Sequence, residues 1–224
     1  MDFLASFFDQ YGLLLAQGTL DTLVMTVVAT LFAYVIGVPL GVALVVTAPG
    51  GLRPHRALST VLGWIVNIGR SIPFIILLVA LIPLTRLIVG TSLGVPGAVV
   101  PLVAAAAPFV GRMVEQSLAE VDGGLVEAAQ SFGASVWQIV RKVFLRESLP
   151  SLIRGASITF ITLFGYVAMA GTVGAGGLGD IAIRYGYQRY QPEVMVAALI
   201  LCIVLVQVFQ SVGNLVARKV DKRK

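Results

Sequence analysis

The chain is poor in the residues that carry chemistry. Its 224 residues include one cysteine, Cys202, and one histidine, His55. A single cysteine cannot close an intramolecular disulfide, and Cys202 falls in an apolar run where a small buried filler is its expected role. A single histidine leaves no His-based metal site and no Ser/His triad, so His55 reads as a solvated residue of a polar turn. No Gly-Lys-Ser/Thr occurs, which excludes a phosphate-binding loop. Charge is scarce too: 12% of residues are charged and 58% hydrophobic, too apolar for an ordinary soluble domain. Catalysis by the chain itself and a resident cofactor are therefore not expected.

Long apolar sequence fills the gap. A hydrocarbon core of ~30 Å is crossed by a helix of ~20 apolar residues. Five stretches qualify, at about 20–46, 58–82, 90–111, 150–172 and 194–217. They predict an all-α integral membrane protein with five transmembrane helices, read as one domain over residues 1–224. Residues 1–20 either form an interfacial helix or lengthen the first span. No basic n-region or small-residue cleavage site marks a removable signal peptide.

The polar segment 122–149 lies between the third and fourth runs. Asp122 is placed to cap a helix N-terminus, and Gly133 to end that helix in the left-handed region. Leu125, Ala128, Ala129 and Phe132 make one apolar stripe. Ser135 with Gln138 is a capping-box pair, and Val136, Ile139, Val140, Val143 and Phe144 make a second stripe. Two short amphipathic helices with a bend at Gly133 are expected, exposed on one side of the membrane.

Basic residues fix which side. If 122–149 is cytoplasmic, so are Arg53, Arg56, Arg112, Arg141, Lys142, Arg146, Arg154, Arg218, Lys219, Lys222, Arg223 and Lys224. Only Arg86, Arg184 and Arg189 then lie outside, which places the N-terminus outside and the C-terminus inside. The net charge of +5 is thus explained by headgroup-facing positions and not by nucleic acid.

Three features interrupt the spans. Gly37 and Gly41, with Pro39 between them, form a small-residue pair suited to close helix packing. Arg70-Ser71-Ile72-Pro73-Phe74 puts an arginine inside the second run, at a cost of ~2.5–3.5 kcal/mol on insertion scales if it faced lipid. Arg70, Ser71 and Pro73 are candidates for a transport path or gate; a structural arginine at a helix end or subunit contact is the competing reading. Gly174, Gly176 and Gly179 spell a literal G-x-G-x-x-G, but it follows a membrane span and not a strand, so the dinucleotide reading is discounted. Gly174, Gly176 and Gly177 are instead assigned to a folded outer loop or gate, and Tyr185 to Tyr190 to an aromatic belt.

Glu127, Ala128 and Ala129, with Gly133 four residues on and Val143 and Leu145 beyond, resemble the EAA loop of ABC importer permeases. Arg146 stands where that family usually has proline. The resemblance extends over Arg70 to Leu78, Ile82 to Thr91, Ala107 to Phe109 and Val173 to Gly179, and over most of the chain is to methionine ABC importer permeases. It implies that Glu127, Ala128, Ala129 and Gly133 couple to a cytoplasmic ABC ATPase dimer. It further implies an external substrate-binding protein, a second permease copy, alternating access driven by ATP in the partner, and a place in the bacterial inner membrane. The substrate implied is methionine, in one or both enantiomers. A sister importer for phosphonates or other small polar solutes, an ATP-independent carrier and an intramembrane enzyme are the alternatives. With proline absent at 146, the second helix is expected to run over 135–148, with the break displaced to Pro150.

Overall fold

The computed structural model describes residues 2–220, with side chains from residue 5 onward. Lys222, Arg223 and Lys224 of the basic C-terminus lie outside the described residues. No strand occurs among them. The first helix, α1 (Asp2–Thr47), has 46 residues. At 1.5 Å per residue it is ~69 Å long, about twice the hydrocarbon core. Residues 2–20 therefore lengthen the first span and do not form a separate helix. Its threonines donate back along the helix, as Thr22 Oγ1 to the Gly18 carbonyl at 2.8 Å and Thr26 Oγ1 to Thr22 at 2.7 Å. That satisfies hydroxyl groups without water.

The second run departs from a single helix over 58–82. It divides into α2 (Arg56–Ser71), α3 (Phe74–Ala80) and α4 (Ile82–Val89), with α2 and α3 bent by 101° at Ile72 and Pro73. Pro73 has no N–H for the helical ladder and pushes Ile72 into the extended region, at φ −80°, ψ 122°. Beyond Gly90 come α5 (Gly94–Ala119), then α6 (Gly123–Ser131), α7 (Val136–Ile139) and α8 (Leu145–Glu147) in the polar segment. The last part holds α9 (Leu149–Gly171), α10 (Gly177–Ile181) and α11 (Pro192–Val220). Among the described residues, α1, α5, α9 and α11 are each long and apolar enough to cross a membrane; α2 with α3 makes a fifth crossing when taken as one bent span.

Helices α1 and α5 form the centre. A Cβ on Gly37 would lie 2.5 Å from Val110 Cγ1, and one on Gly41 2.6 Å from Val114 Cβ, so glycine is what lets the two backbones approach. Met25, Leu102, Val110, Val114, Leu163 and Val167 are fully buried around that contact. Phe74 of α3 stacks on Tyr166 of α9 with centroids 4.6 Å apart. Outward faces are apolar instead: Val24, Leu31 and Val35 on α1, and Leu199, Ile203 and Val208 on α11, are exposed. Without water to drive them inward, such residues are at rest against lipid chains.

Candidate functional site

Local signals build the segment after α5. Asp122 accepts from the Gly124 amide at 2.6 Å and so starts α6. At its end, Gly133 has φ +74°; its amide donates to Gln130 at 2.9 Å and that of Ala134 to Ala129 at 3.0 Å. This pair of bonds is a Schellman termination. Ser135 then starts α7 with both halves of a capping box: its amide donates to Gln138 Oε1 at 2.7 Å, and its hydroxyl accepts from the Gln138 amide at 3.4 Å. A π-helical turn, Val140–Phe144, joins α7 to α8. Leu145 is helical at φ −65°, ψ −31°, so the chain does not break at 145–146. The expected helix over 135–148 is interrupted by that π-helical turn, and the turn comes at Ser148, ahead of the break expected at Pro150, which sits in the first turn of α9.

The two expected stripes fare differently. Ile139, Val140 and Phe144 are buried in the same core cluster as Val114, Leu118 and Val121. Side-chain hydrogen bonds reinforce the joint, with Ser148 Oγ donating to the Ser117 carbonyl at 2.9 Å and the Ser117 and Ser151 hydroxyls 2.9 Å apart. On α6, however, Val126 and Ala129 turn inward while Leu125, Ala128 and Phe132 point out. Phe132 is 92% exposed and Trp137 69% exposed. The apolar stripe expected on α6 is thus largely an uncovered face. Glu127 is exposed and has no ion pair among the described residues; with Glu115 and Gln130 it lines a groove of about 420 Å³ beside the turn at Pro49–Leu52.

The path candidates fall into two places. Arg70, Ser71 and Pro73 lie exposed at the bend after α2, with the Arg70 guanidinium 6.0 Å from the centre of the Phe109 ring and Gly69 packed on Pro108. Gly174, Gly176 and Gly177, all with positive φ, form a packed turn against α1 and the start of α5. The Gly174 carbonyl accepts from the Gly94 amide, and Thr22 Oγ1 accepts from the Leu178 amide, each at 2.9 Å. A Cβ on Gly177 would meet Thr22 Oγ1 at 2.7 Å.

Sequence reading missed one group. Arg112 on α5 donates to Glu115 at 2.6 Å and, across to α2, to Asn67 Oδ1 at 2.7 Å. The signal was present in part, since Arg112 and Glu115 are three apart on one helix and Asn67 precedes Arg70 by the same spacing. Together with Arg70 and Ser71 they form a polar strip along the α2–α5 face, in contrast to the apolar faces of α1 and α11.

These features define a polytopic helical membrane protein with an exposed polar strip along α2 and α5 and an uncovered apolar face on an element anchored to its core. The chain belongs to the family described as binding-protein-dependent transport system inner membrane component, whose model matches residues 34–224. It is 50% identical over 220 residues to the probable D-methionine transport system permease protein MetI of Vibrio cholerae, covering 98% of each chain. It is 55% identical over 158 residues to the D-methionine transport system permease protein MetI of Escherichia coli K12, covering 70% of this chain and 73% of that one. Its backbone matches inward-facing conformations of the MetNI methionine ABC transporter with a TM-score of 0.94 at 51% identity, over 95% of this chain and 99% of that one. An amino acid ABC transporter crystallised with histidines shares the fold, with a TM-score of 0.78 at 19% identity over 98% and 99% of the two chains.

Proposed function

We propose that this chain is the permease subunit of an ATP-driven importer of methionine and works as a symmetric pair. The observation that carries the reading is the uncovered apolar face of α6 and α7 on an element fixed to α5 and α9, in a chain half identical to permeases named for D-methionine transport. Phe132, Trp137 and Leu125 are the apolar contacts for a cytoplasmic ATPase subunit. Ala128 lets its surface approach, and Glu127 supplies a directed polar contact. Gly133 sets the angle between the two helices. ATP hydrolysis belongs to that partner, and an external binding protein delivers the substrate.

The segment 122–149 faces the cytoplasm, which puts the N-terminus outside and the basic C-terminus inside. The strip of Asn67, Arg70, Ser71, Arg112 and Glu115 is too polar to meet lipid. It faces the second permease copy across a water-filled path, with the bend at Pro73 opening the backbone there. At the outer end, the packed turn of Gly174, Gly176 and Gly177 acts as the closed gate, in keeping with the inward-facing form of the relative. Closure of the ATPase pair would pull the coupling elements together and rock the permeases to open outward.

Purification from native membranes through a tag on this chain tests the reading. A nucleotide-hydrolysing subunit should accompany it in equal amount. Isolation of the chain alone, fully active in uptake, would make it an ATP-independent carrier.

A further inference from the structure

We propose that Arg70 is the anion subsite of the transport path, where its guanidinium receives the carboxylate of the amino acid in passage. The inference rests on the reading, given above, that the α2–α5 face lines a wet path. Arg70 lies roughly 21 Å along α2 from Arg56, inside the second apolar run and one turn beyond Asn67, the residue that Arg112 reaches from α5. A cation at that depth requires an anion, an acceptor or water.

The strip holds two arginines, and they differ in one respect. Arg112 is neutralised, with Glu115 on one arm and Asn67 on the other. Arg70 has no carboxylate partner among the described residues; the Phe109 ring lies beside it, 6.0 Å from the guanidinium. One fixed positive charge on this face is therefore left open, and its surroundings suit a zwitterion with an apolar side chain. The last carbonyls of α2, which Pro73 cannot serve with an N–H, accept from the ammonium group. Phe109 offers a ring on which a thioether packs favourably. The site is exposed and weak, as a path requires, since a substrate must leave it as readily as it enters.

A bland role competes: a cation in the last turn of α2 also complements the helix dipole. The experiment separates the two. The complete importer, carrying Arg70→Cys and Cys202→Ala, is placed in proteoliposomes with its ATPase and binding protein. It is treated with methanethiosulfonates bearing an ammonium, a sulfonate or a methyl group. Labelled methionine uptake per ATP hydrolysed should fall by about ten- to a hundredfold in the cysteine variant, the range for a hydrogen bond to a charged group. It should return with the ammonium reagent alone. Rescue by all three reagents, or by none despite modification, overturns the anion subsite and leaves the path intact. No modification with or without ATP overturns the path reading and the subsite with it. Uptake and ATP hydrolysis falling together, at constant ratio, assign Arg70 to the helix end. Should the cysteine variant fail to assemble, Arg70→Lys must retain more uptake per ATP than Arg70→Gln; equal loss contradicts the proposal.

Discussion

At the scale of single residues, Glu127 and Gly133 are held differently, one exposed on α6 and the other just past its end. Glu127 is exposed and unpaired among the described residues, beside outward apolar groups. Truncating one member of a charge pair that becomes buried at an interface costs about 2–5 kcal/mol. Glu127→Ala should therefore weaken ATPase binding to that extent while the permease still inserts, as a binding titration in detergent would read. Unchanged affinity would remove Glu127 from the contact. Gly133 is held at φ +74° by two terminating hydrogen bonds, with open space where a Cβ would go. Strain and not collision decides there: Gly133→Val should impair uptake more than Gly133→Asn, since asparagine tolerates the left-handed region. Equal uptake at matched expression would contradict this.

Scaling up to the element, α6 to α8 act as one lever in the proposed function. The buried stripe of Ile139, Val140 and Phe144 fixes the lever to the core, and Ser148 joins it to the end of α5 through Ser117. Ser148→Ala leaves the Ser117 carbonyl short of a donor, at a cost of about 1–3 kcal/mol. It should lower uptake per ATP hydrolysed more than ATPase affinity, because the docking face lies upstream; an affinity loss of equal size would show that face and anchor are not separable. Arg146→Pro should add a local break, at about 3 kcal/mol in a helix interior, and leave ATPase assembly unaffected. Loss of assembly in pull-down would refute the separation of docking from the end of the lever. The caps of this lever were legible in the sequence, because Asp122, Gly133 and Ser135 with Gln138 act within a few residues of themselves. Which way its first stripe faces was not. Periodicity tells that Leu125, Ala128 and Phe132 share a face, not whether the cover comes from the same chain. The hydrogen bond from Arg112 to Asn67 was equally hidden, since it joins residues 45 apart. Pro73 marks the site of the α2 bend, but neither its 101° angle nor the stacking of Phe74 on Tyr166, 92 positions away in the chain, can be read from local pattern.

For the whole molecule, three kinds of surface divide the chain. Apolar faces of α1 and α11 suit lipid, the strip along α2 and α5 suits a path shared with a second copy, and the face of α6 and α7 suits a partner off the membrane. No single helix needs all three, and α5 touches both the lever, through Ser117, and the polar strip, through Arg112, so in the proposed function it transmits motion between them. In the proposed function this arrangement turns ATP hydrolysis in a partner into inward movement of methionine. Its most direct test is uptake of labelled methionine by proteoliposomes holding the permease, its ATPase and its binding protein. Accumulation against a gradient is expected, requiring hydrolysable ATP on the ATPase side and the binding protein on the other. Equal uptake without ATP, or ATP hydrolysis with no methionine movement, would contradict it.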